Sequence, residues 1–274
     1  MTVASALARA AERLEAAGCE SPRVDVELLL AHVLGTTRSG LNADGRRELT
    51  EAEARSFEAF VARRELREPV AYVLGEWGFR RLTLKVDRRV LVPRPETETV
   101  VERCLALLEG REAQRVLDVG TGSGAVALAI ADEHPGARVT AIDVSDDALD
   151  VARENAARTG LEVEFLHRNL FEGLPAGPWD LVVSNPPYVR AGDIESLQEE
   201  VRAWEPRVAL LGEGATEAIA SGARDVLASG GALVLETAHG EAARVAQLLR
   251  DLGYGNVRIT ADLAGRERVV EGTR

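Results

Sequence analysis

The chain has 274 residues, enough for one large domain or for a small domain followed by a larger one. Its formal net charge of -12 means that the average surface repels a phosphate backbone, and the sequence contains no locally basic stripe. Stable binding to nucleic acid is therefore not expected.

Cysteine usage is typical of a reducing compartment, and the hydropathy pattern bears on targeting and membrane segments. Cys19 and Cys104 are far apart and lack metal-ligand spacing, so both are interpreted as buried apolar side chains. The N-terminal segment carries charges at helical spacing instead of a basic region before an apolar block, and no apolar run approaches membrane-spanning length. We expect a cytoplasmic, monomeric protein without a membrane contact.

The first quarter of the chain has helical periodicity and predicts a small helical domain over residues 1–72. Gly18 and Gly35 are expected just past the ends of the first two helices, where a left-handed residue is common. Thr50 is expected to cap the start of the third helix.

The next segment, 73–92, changes to alternating periodicity and predicts a β-hairpin linker with turns at Gly75 and Gly78. From residue 93 onwards a predicted helix is followed by alternating strands and helices. This alternation predicts an α/β domain over 93–274 with a mostly parallel, doubly wound sheet.

A glycine-rich turn joins the first strand of this domain to an alanine-rich helix. The turn comprises Gly120, Thr121, Gly122, Ser123 and Gly124. Such glycines let the backbone approach a ligand at a helix N-terminus. The next predicted strand ends at Asp143, whose carboxylate can accept both hydroxyls of a ribose. Because the spacing is G-x-G-x-G and Asp118 precedes it, S-adenosyl-L-methionine is favoured over NAD as cofactor.

The apolar strand DLVVS ends in Asn185, Pro186, Pro187 and Tyr188, at the edge of the sheet where ligands of such folds bind. A planar amide or aromatic amine is a poor nucleophile because its nitrogen lone pair is delocalised. The Asn185 side-chain oxygen and the Pro186 carbonyl can accept both of its N–H groups, while Tyr188 stacks on its flat face. The two prolines hold these acceptors in place. The pattern predicts transfer of a methyl group to a planar NH₂ group.

At this point the sequence resembles the HemK/PrmC family of protein-glutamine N5-methyltransferases, which methylate the glutamine of the Gly-Gly-Gln loop in peptide-chain release factors. The resemblance covers nearly the whole chain, and its marks are EPVAYVLGEWGF, VLVPRPETE, LDVGTGSG, AIDVS, SNPPYV, EEVRAWEPRVAL and DLAGRERVV. It implies a Rossmann-like class I fold with a seven-stranded sheet whose last strand is antiparallel, and an N-terminal domain that recognises the protein substrate.

The resemblance also assigns residues. It places the cofactor against the glycine-rich turn and Asp143, the glutamine against the Asn-Pro-Pro-Tyr segment, and Asn185 near both. Asn169 and Leu170 occupy the positions where relatives often contact adenine with an acid-aromatic pair. The PRPETE loop reads as a helix start, and likeness to the family suggests that it also lies beside the active site, with Arg94 best placed to touch substrate.

Three alternatives remain open from sequence. A sister enzyme could methylate a glutamine on a large-subunit ribosomal protein, and an enzyme of a different class could methylate an exocyclic amine of DNA or RNA. The acidic charge and the absence of a basic recognition module argue against the second. A non-catalytic module of the same fold would be expected to lose Asn185, which is present.

Overall fold

The computed structural model describes residues 1–43 and 45–274. The chain forms two compact units. One comprises Met1–Glu76 together with Leu197–Trp204, and the other comprises Trp77–Ser196 together with Glu205–Arg274.

The first unit is helical. Its N-terminal part contains α1 (Val3–Ala16), α2 (Pro22–Leu34), α3 (Arg38–Ala43), α4 (Glu51–Glu65) and α5 (Val70–Leu74). The predicted helix boundaries are confirmed: Gly35 follows α2 in the left-handed conformation, and Thr50 forms a capping box with Glu53 at the start of α4. Gly18 lies just beyond the last turn of α1 and also has a positive φ.

A buried cluster of charges links elements within this unit. The Arg64 guanidinium binds the Asp25 carboxylate at 2.8 Å and the Glu200 carboxylate at 2.7 Å. Glu200 also pairs with Arg67 at 2.5 Å. Because each buried charge has a partner of opposite sign, the segment that carries Glu200 is tied to α2 and α4.

The predicted hairpin is present, but its turn is not where the glycines suggested. The strands are β1 (Glu76–Phe79) and β2 (Leu82–Lys85). Gly75 ends α5, and Gly78 lies inside β1, so the predicted turn at Gly78 is wrong. The chain turns at Arg80, which has a φ of 51°, donates its backbone N–H to Glu98 and pairs with Glu133. These tertiary contacts stabilise a backbone conformation that a non-glycine residue rarely adopts.

The second unit is built on a seven-stranded sheet. Its strands are β3 (Arg115–Val119), β4 (Arg138–Asp143), β5 (Glu164–His167), β6 (Trp179–Ser184), β7 (Leu227–Glu236), β8 (Gly255–Ala261) and β9 (Glu267–Thr273). Their order is β5-β4-β3-β6-β7-β9-β8, parallel except for β9, which runs antiparallel to both neighbours. The predicted fold class is confirmed.

Helices cover both faces of this sheet. They are α6 (Thr97–Leu108), α7 (Ala125–Glu133), α8 (Asp146–Thr159), α11 (Ala215–Val226) and α12 (Ala242–Asp251). Two shorter helices are α9 (Glu199–Trp204), which belongs to the first unit, and α10 (Arg207–Leu210). Each face has an aliphatic core, one against α6 and α7 and the other against α11 and α12. The order of the strands reverses between β3 and β6, and in open α/β sheets this switch point is where ligands bind.

Both cysteines are free and buried, as predicted. None of the helices in the described part of the chain combines the length and apolar character needed to cross a membrane.

Candidate active site

The glycine-rich turn lies at the carboxyl end of β3, beside the switch point. Gly120 and Gly122 have φ angles of 76° and 56°, a region that favours glycine. A Cβ at either position would meet no atom within 4 Å, so both backbones face open space. A Cβ at Gly124 would instead lie 3.2 Å from Leu128 and 3.3 Å from Ala152. The first two glycines therefore border a cleft, and the third allows close helix packing.

Two carboxylates, the half-buried Asp143 and the buried Asp118, lie at the same edge of the sheet. Asp143 ends β4 and accepts backbone N–H groups from Gly122 and Ser145, each at 2.9 Å. Burial raises the pKa of Asp143. Asp118 is 2% exposed and accepts a hydrogen bond from the Thr121 hydroxyl at 2.7 Å. Burial raises the pKa of Asp118 to about 7, although the hydrogen bond from Thr121 acts in the opposite direction. The negative charge of these two carboxylates is costly in a site of low exposure unless a cation lies nearby. The cleft therefore favours a positively charged ligand over a negatively charged phosphate.

The Asn-Pro-Pro-Tyr segment leaves the adjacent strand β6. The half-buried Asn185 donates from Nδ2 to the Thr97 hydroxyl oxygen at 3.3 Å. Pro186 is buried, and Pro187 lines the cleft with Asn185. Tyr188 is 39% exposed and lines a neighbouring, more polar cavity instead.

Two residues beside Asn185 were not identified from sequence as members of the site. Thr97 is the first residue of α6 and donates its hydroxyl hydrogen to Glu236 Oε2 at 2.6 Å. Glu236 ends β7 and is 2% exposed. Burial raises the pKa of Glu236 to about 7, although the Thr97 hydrogen bond opposes this. The available signal was the PRPETE loop, whose threonine was assigned no role.

Residues 210–212 make close backbone contacts with the Asn-Pro-Pro-Tyr segment. The Val189 N–H donates to the Leu210 carbonyl at 2.9 Å. A Cβ at Gly212 would lie 2.1 Å from the Pro187 carbonyl oxygen, so only glycine fits there. The segment therefore sits in a fixed position against residues 210–212.

Arg94, predicted to face the substrate, lines the cleft but is already paired. Its Nη2 binds both carboxylate oxygens of Glu205, at 2.8 and 2.9 Å. Burial raises the pKa of Glu205, and Arg94 opposes that shift. The ion pair joins the PRPETE loop to the segment that begins at Pro206, another residue of the cleft wall.

The far wall of the cleft contains the predicted adenine-site residues. Asn169 and Leu170 both line it, and Asn169 Oδ1 accepts the Phe171 backbone N–H at 3.0 Å. Phe171 is 60% exposed at the rim. The short helical turn that begins at Leu170 thus supplies an apolar edge to the cleft.

One cleft therefore contains most of the predicted site. Its wall includes Gly120, Thr121, Gly122, Ser123, Asp143, Asn169, Leu170, Asn185 and Pro187. The cleft is open to solvent. Across the described residues, no group of three or more His, Cys, Asp or Glu side chains is placed to hold a metal ion.

Comparisons with known proteins show which family models and folds this chain matches. Residues 5–75 match the PrmC N-terminal domain, and residues 101–202 match the methyltransferase small domain. In solved structures, the fold resembles that of a 16S rRNA methyltransferase from T. thermophilus in complex with AdoMet and guanosine, with a TM-score of 0.54. That match is 19% identical and covers 73% of this chain and 49% of the other. It identifies the class of fold and no more.

Sequence relatives extend over the whole chain. The release factor glutamine methyltransferase of Deinococcus radiodurans is 43% identical over 281 residues, which cover 100% of this chain and 99% of the relative. The corresponding protein of Caulobacter vibrioides is 38% identical over 280 residues, covering 100% of this chain and 97% of the relative. With identity of this level over the full length, the chain belongs to the release factor glutamine methyltransferase family.

Proposed function

We propose that this protein transfers a methyl group from S-adenosyl-L-methionine to the side-chain amide nitrogen, N5, of the glutamine in the Gly-Gly-Gln motif of peptide-chain release factors. The observation that carries the proposal is the position of Asn185. Its side chain lines the same cleft as Asp143 and the glycine-rich turn, and that turn follows β3, the strand next to β6. Full-length relatives named for this activity support the choice of substrate.

The residues of the cleft fit the cofactor. S-adenosyl-L-methionine, when bound, supplies a methyl group attached to a positively charged sulfur. Gly120 and Gly122 present backbone to open space, where side chains would fill the cleft. Asp143 is held by two backbone N–H groups and would accept the ribose hydroxyls. Asp118 adds a second carboxylate, which is buried and which a cationic ligand would stabilise.

The amide site requires acceptors rather than a base. The Asn185 oxygen and the Pro186 carbonyl would accept the two N–H groups of the substrate and direct its nitrogen towards the methyl group. As the bond forms, positive charge develops on that nitrogen, and preorganised acceptors stabilise it. Pro187 and Gly212 keep these acceptors in position through their close approach. Tyr188 would cover the flat face of the amide from the neighbouring cavity.

We assign substrate recognition to the N-terminal helical unit. A glutamine in a protein loop offers only a small group to the cleft, so selection of the correct protein needs a further surface. Residues 5–75 match a domain named for the family, which supports this role.

A methyl-transfer assay with three candidate substrates tests the proposal. The purified protein is given labelled S-adenosyl-L-methionine with a release factor, a large-subunit ribosomal protein and DNA in separate reactions. Label should enter the release factor alone and disappear when its loop glutamine is replaced. Label on DNA, or on a release factor without that glutamine, would overturn the assignment.

A further inference from the structure

We propose that Thr97 and Glu236 act as positioning residues for Asn185, fixing which end of its side-chain amide faces the substrate. This inference rests on the proposed function, because it concerns the acceptor that would bind the glutamine. The three side chains form a hydrogen-bonded chain that starts at a buried carboxylate and ends in the cleft.

The fold brings the three residues together from distant parts of the sequence. β6 and β7 are parallel neighbours in which Ser184 is registered with Leu235, so Asn185 and Glu236 follow at adjacent strand ends. Thr97, at the first turn of α6, lies between their side chains. It contacts Glu236 at 2.6 Å and Asn185 at 3.3 Å. Thr97 is 5% exposed and Glu236 is 2% exposed, so little water competes for these bonds.

The direction of the chain follows from hydrogen counting. An ionised carboxylate can only accept, so the single hydroxyl hydrogen of Thr97 must point to Glu236. The lone pairs of Thr97 are then left for Asn185, which can use them only through its NH₂ group. The Asn185 oxygen is thereby turned to the opposite side, towards the cleft.

The opposite orientation of Asn185 would disable the site. A side-chain amide has nearly the same shape when it is rotated by half a turn, so packing alone selects weakly between the two ends. The rotated form would present NH₂ to the substrate NH₂, placing two donors against each other. Glu236 selects the productive end through Thr97, without contacting the substrate.

Protonation of Glu236 would remove this selection, because a protonated carboxyl can donate as well as accept. Several charged or titratable groups influence it: Arg268 from β9, Arg94 and Glu96 from the loop before α6, and Tyr188. The two arginines favour the carboxylate, whereas burial and Glu96 oppose it. With a pKa of about 7, the carboxylate predominates only above neutral pH.

Replacement of Thr97 tests the relay against a merely structural role. Thr97→Val keeps the shape but removes the hydroxyl, so kcat for methylation of the release factor should fall about 100-fold. The affinity for S-adenosyl-L-methionine and the KM for the release factor should change little. Thr97→Ser restores the hydroxyl and should recover most of kcat. Thr99→Val is the matched control, since Thr99 is a buried threonine on the same helix outside the cleft wall.

Replacement of Glu236 supplies a second readout. At saturating cofactor, kcat of the wild-type protein should fall as the pH drops through about 7, with the titration of Glu236. Glu236→Gln should lower kcat at pH 8 and remove the fall of kcat at low pH, which is the acid limb of the pH profile. Glu271→Gln, a buried glutamate on β9 paired with Arg103, should keep the limb.

The outcomes separate the relay from the function on which it rests. If the wild-type protein transfers no methyl group to the release factor, both proposals are overturned. If the wild type is active and Thr97→Val matches it, or if Glu236→Gln retains the acid limb, the relay alone is overturned. A fall in kcat with Thr97→Val, rescued by Thr97→Ser, supports it.

Discussion

Asn185 and Thr97 lie 88 positions apart in sequence, yet their side chains are joined by a hydrogen bond of 3.3 Å. This contact ties the strand end that would hold the substrate amide to the first residue of α6. Thr97 also bonds to Glu236, so in the proposed relay the Asn185 acceptor would be fixed before any ligand arrives. The consequences can be measured at several positions.

Removal of Asn185 should separate binding from turnover. Asn185→Ala deletes the acceptor that we propose stabilises developing charge, so kcat should fall about 100-fold to 1000-fold, by analogy with oxyanion-hole donors. The affinity for S-adenosyl-L-methionine, measured by calorimetry, should stay close to that of the wild type. Asn256→Ala on β8 serves as the control. A variant at position 185 with full turnover would contradict the acceptor role.

Removal of Asp143 should weaken binding of the cofactor, the step that removal of Asn185 should leave unchanged. Asp143→Ala eliminates the carboxylate that would accept the ribose hydroxyls, and hydrogen bonds to a charged group contribute about 1.5 to 3 kcal/mol each. Calorimetry should therefore show an affinity for the cofactor at least about tenfold weaker. Asp147→Asn, an exposed change in the first turn of α8, should leave it unaltered. Unchanged affinity in Asp143→Ala would remove this residue from the ribose.

Cofactor affinity should depend on pH through Asp118. Its pKa is about 7 in the free protein because the carboxyl is buried. A cationic ligand stabilises the carboxylate, so binding below pH 7 must release a proton and affinity should rise as the pH increases through 7. Calorimetry in buffers of different ionisation enthalpy measures this release directly. Asp118→Asn should abolish the pH dependence, and its persistence in that variant would contradict the assignment.

As the pH rises, the titration of Glu236 should lower the stability of the protein, whereas it should raise kcat. Its pKa rises from 4.5 to about 7 on folding, so between these values the folded chain holds a proton that the unfolded chain has lost. The contribution of this group to the free energy of unfolding therefore falls as pH rises through that window, by about 3 kcal/mol in total.

Glu236→Gln removes this penalty. In urea unfolding it should be more stable than the wild type at pH 8, and the gain should shrink at pH 5. The exposed change Glu109→Gln is the control. An equal difference at both pH values would show that the carboxyl at position 236 does not titrate in this range.

The close contact of Gly212 with the Asn-Pro-Pro-Tyr segment offers a steric test. In Gly212→Ala the new Cβ would lie 2.1 Å from the Pro187 carbonyl oxygen, which must move. A displacement of the acceptors near 1 Å should reduce kcat about 100-fold, while cofactor affinity is largely kept. Gly192→Ala adds the same methyl group in open space and should be neutral. Wild-type kcat in Gly212→Ala would show that this contact does not position the segment.

Local patterns allowed much of the fold and part of the site to be predicted. Glycine and proline at helix ends, the period of the strands and the G-x-G-x-G turn each act over a few residues, and the structure confirms the elements that they define. The predicted position of Asp143 at a strand end is likewise confirmed. Its role, and that of Asn185, stay predictions.

The remaining features depend on contacts between distant segments. Thr97 and Glu236 meet Asn185 only because β6, β7 and α6 converge, and no spacing in the sequence records this. The hairpin turn at Arg80 is stabilised by Glu98 and Glu133, which overrides the preference of turns for glycine. The packing of Gly212 on Pro187 likewise joins segments that are distant in sequence and is visible only in three dimensions.

The most direct test of the central claim is to locate the transferred methyl group. A release factor incubated with this protein and S-adenosyl-L-methionine is digested, and the loop peptide is sequenced by mass spectrometry. We predict one added methyl group, on the side chain of the glutamine in the Gly-Gly-Gln motif, and none when Asn185→Ala replaces the wild type. A methyl group on any other residue, or an unmodified loop glutamine after prolonged reaction with the wild type, would contradict the account.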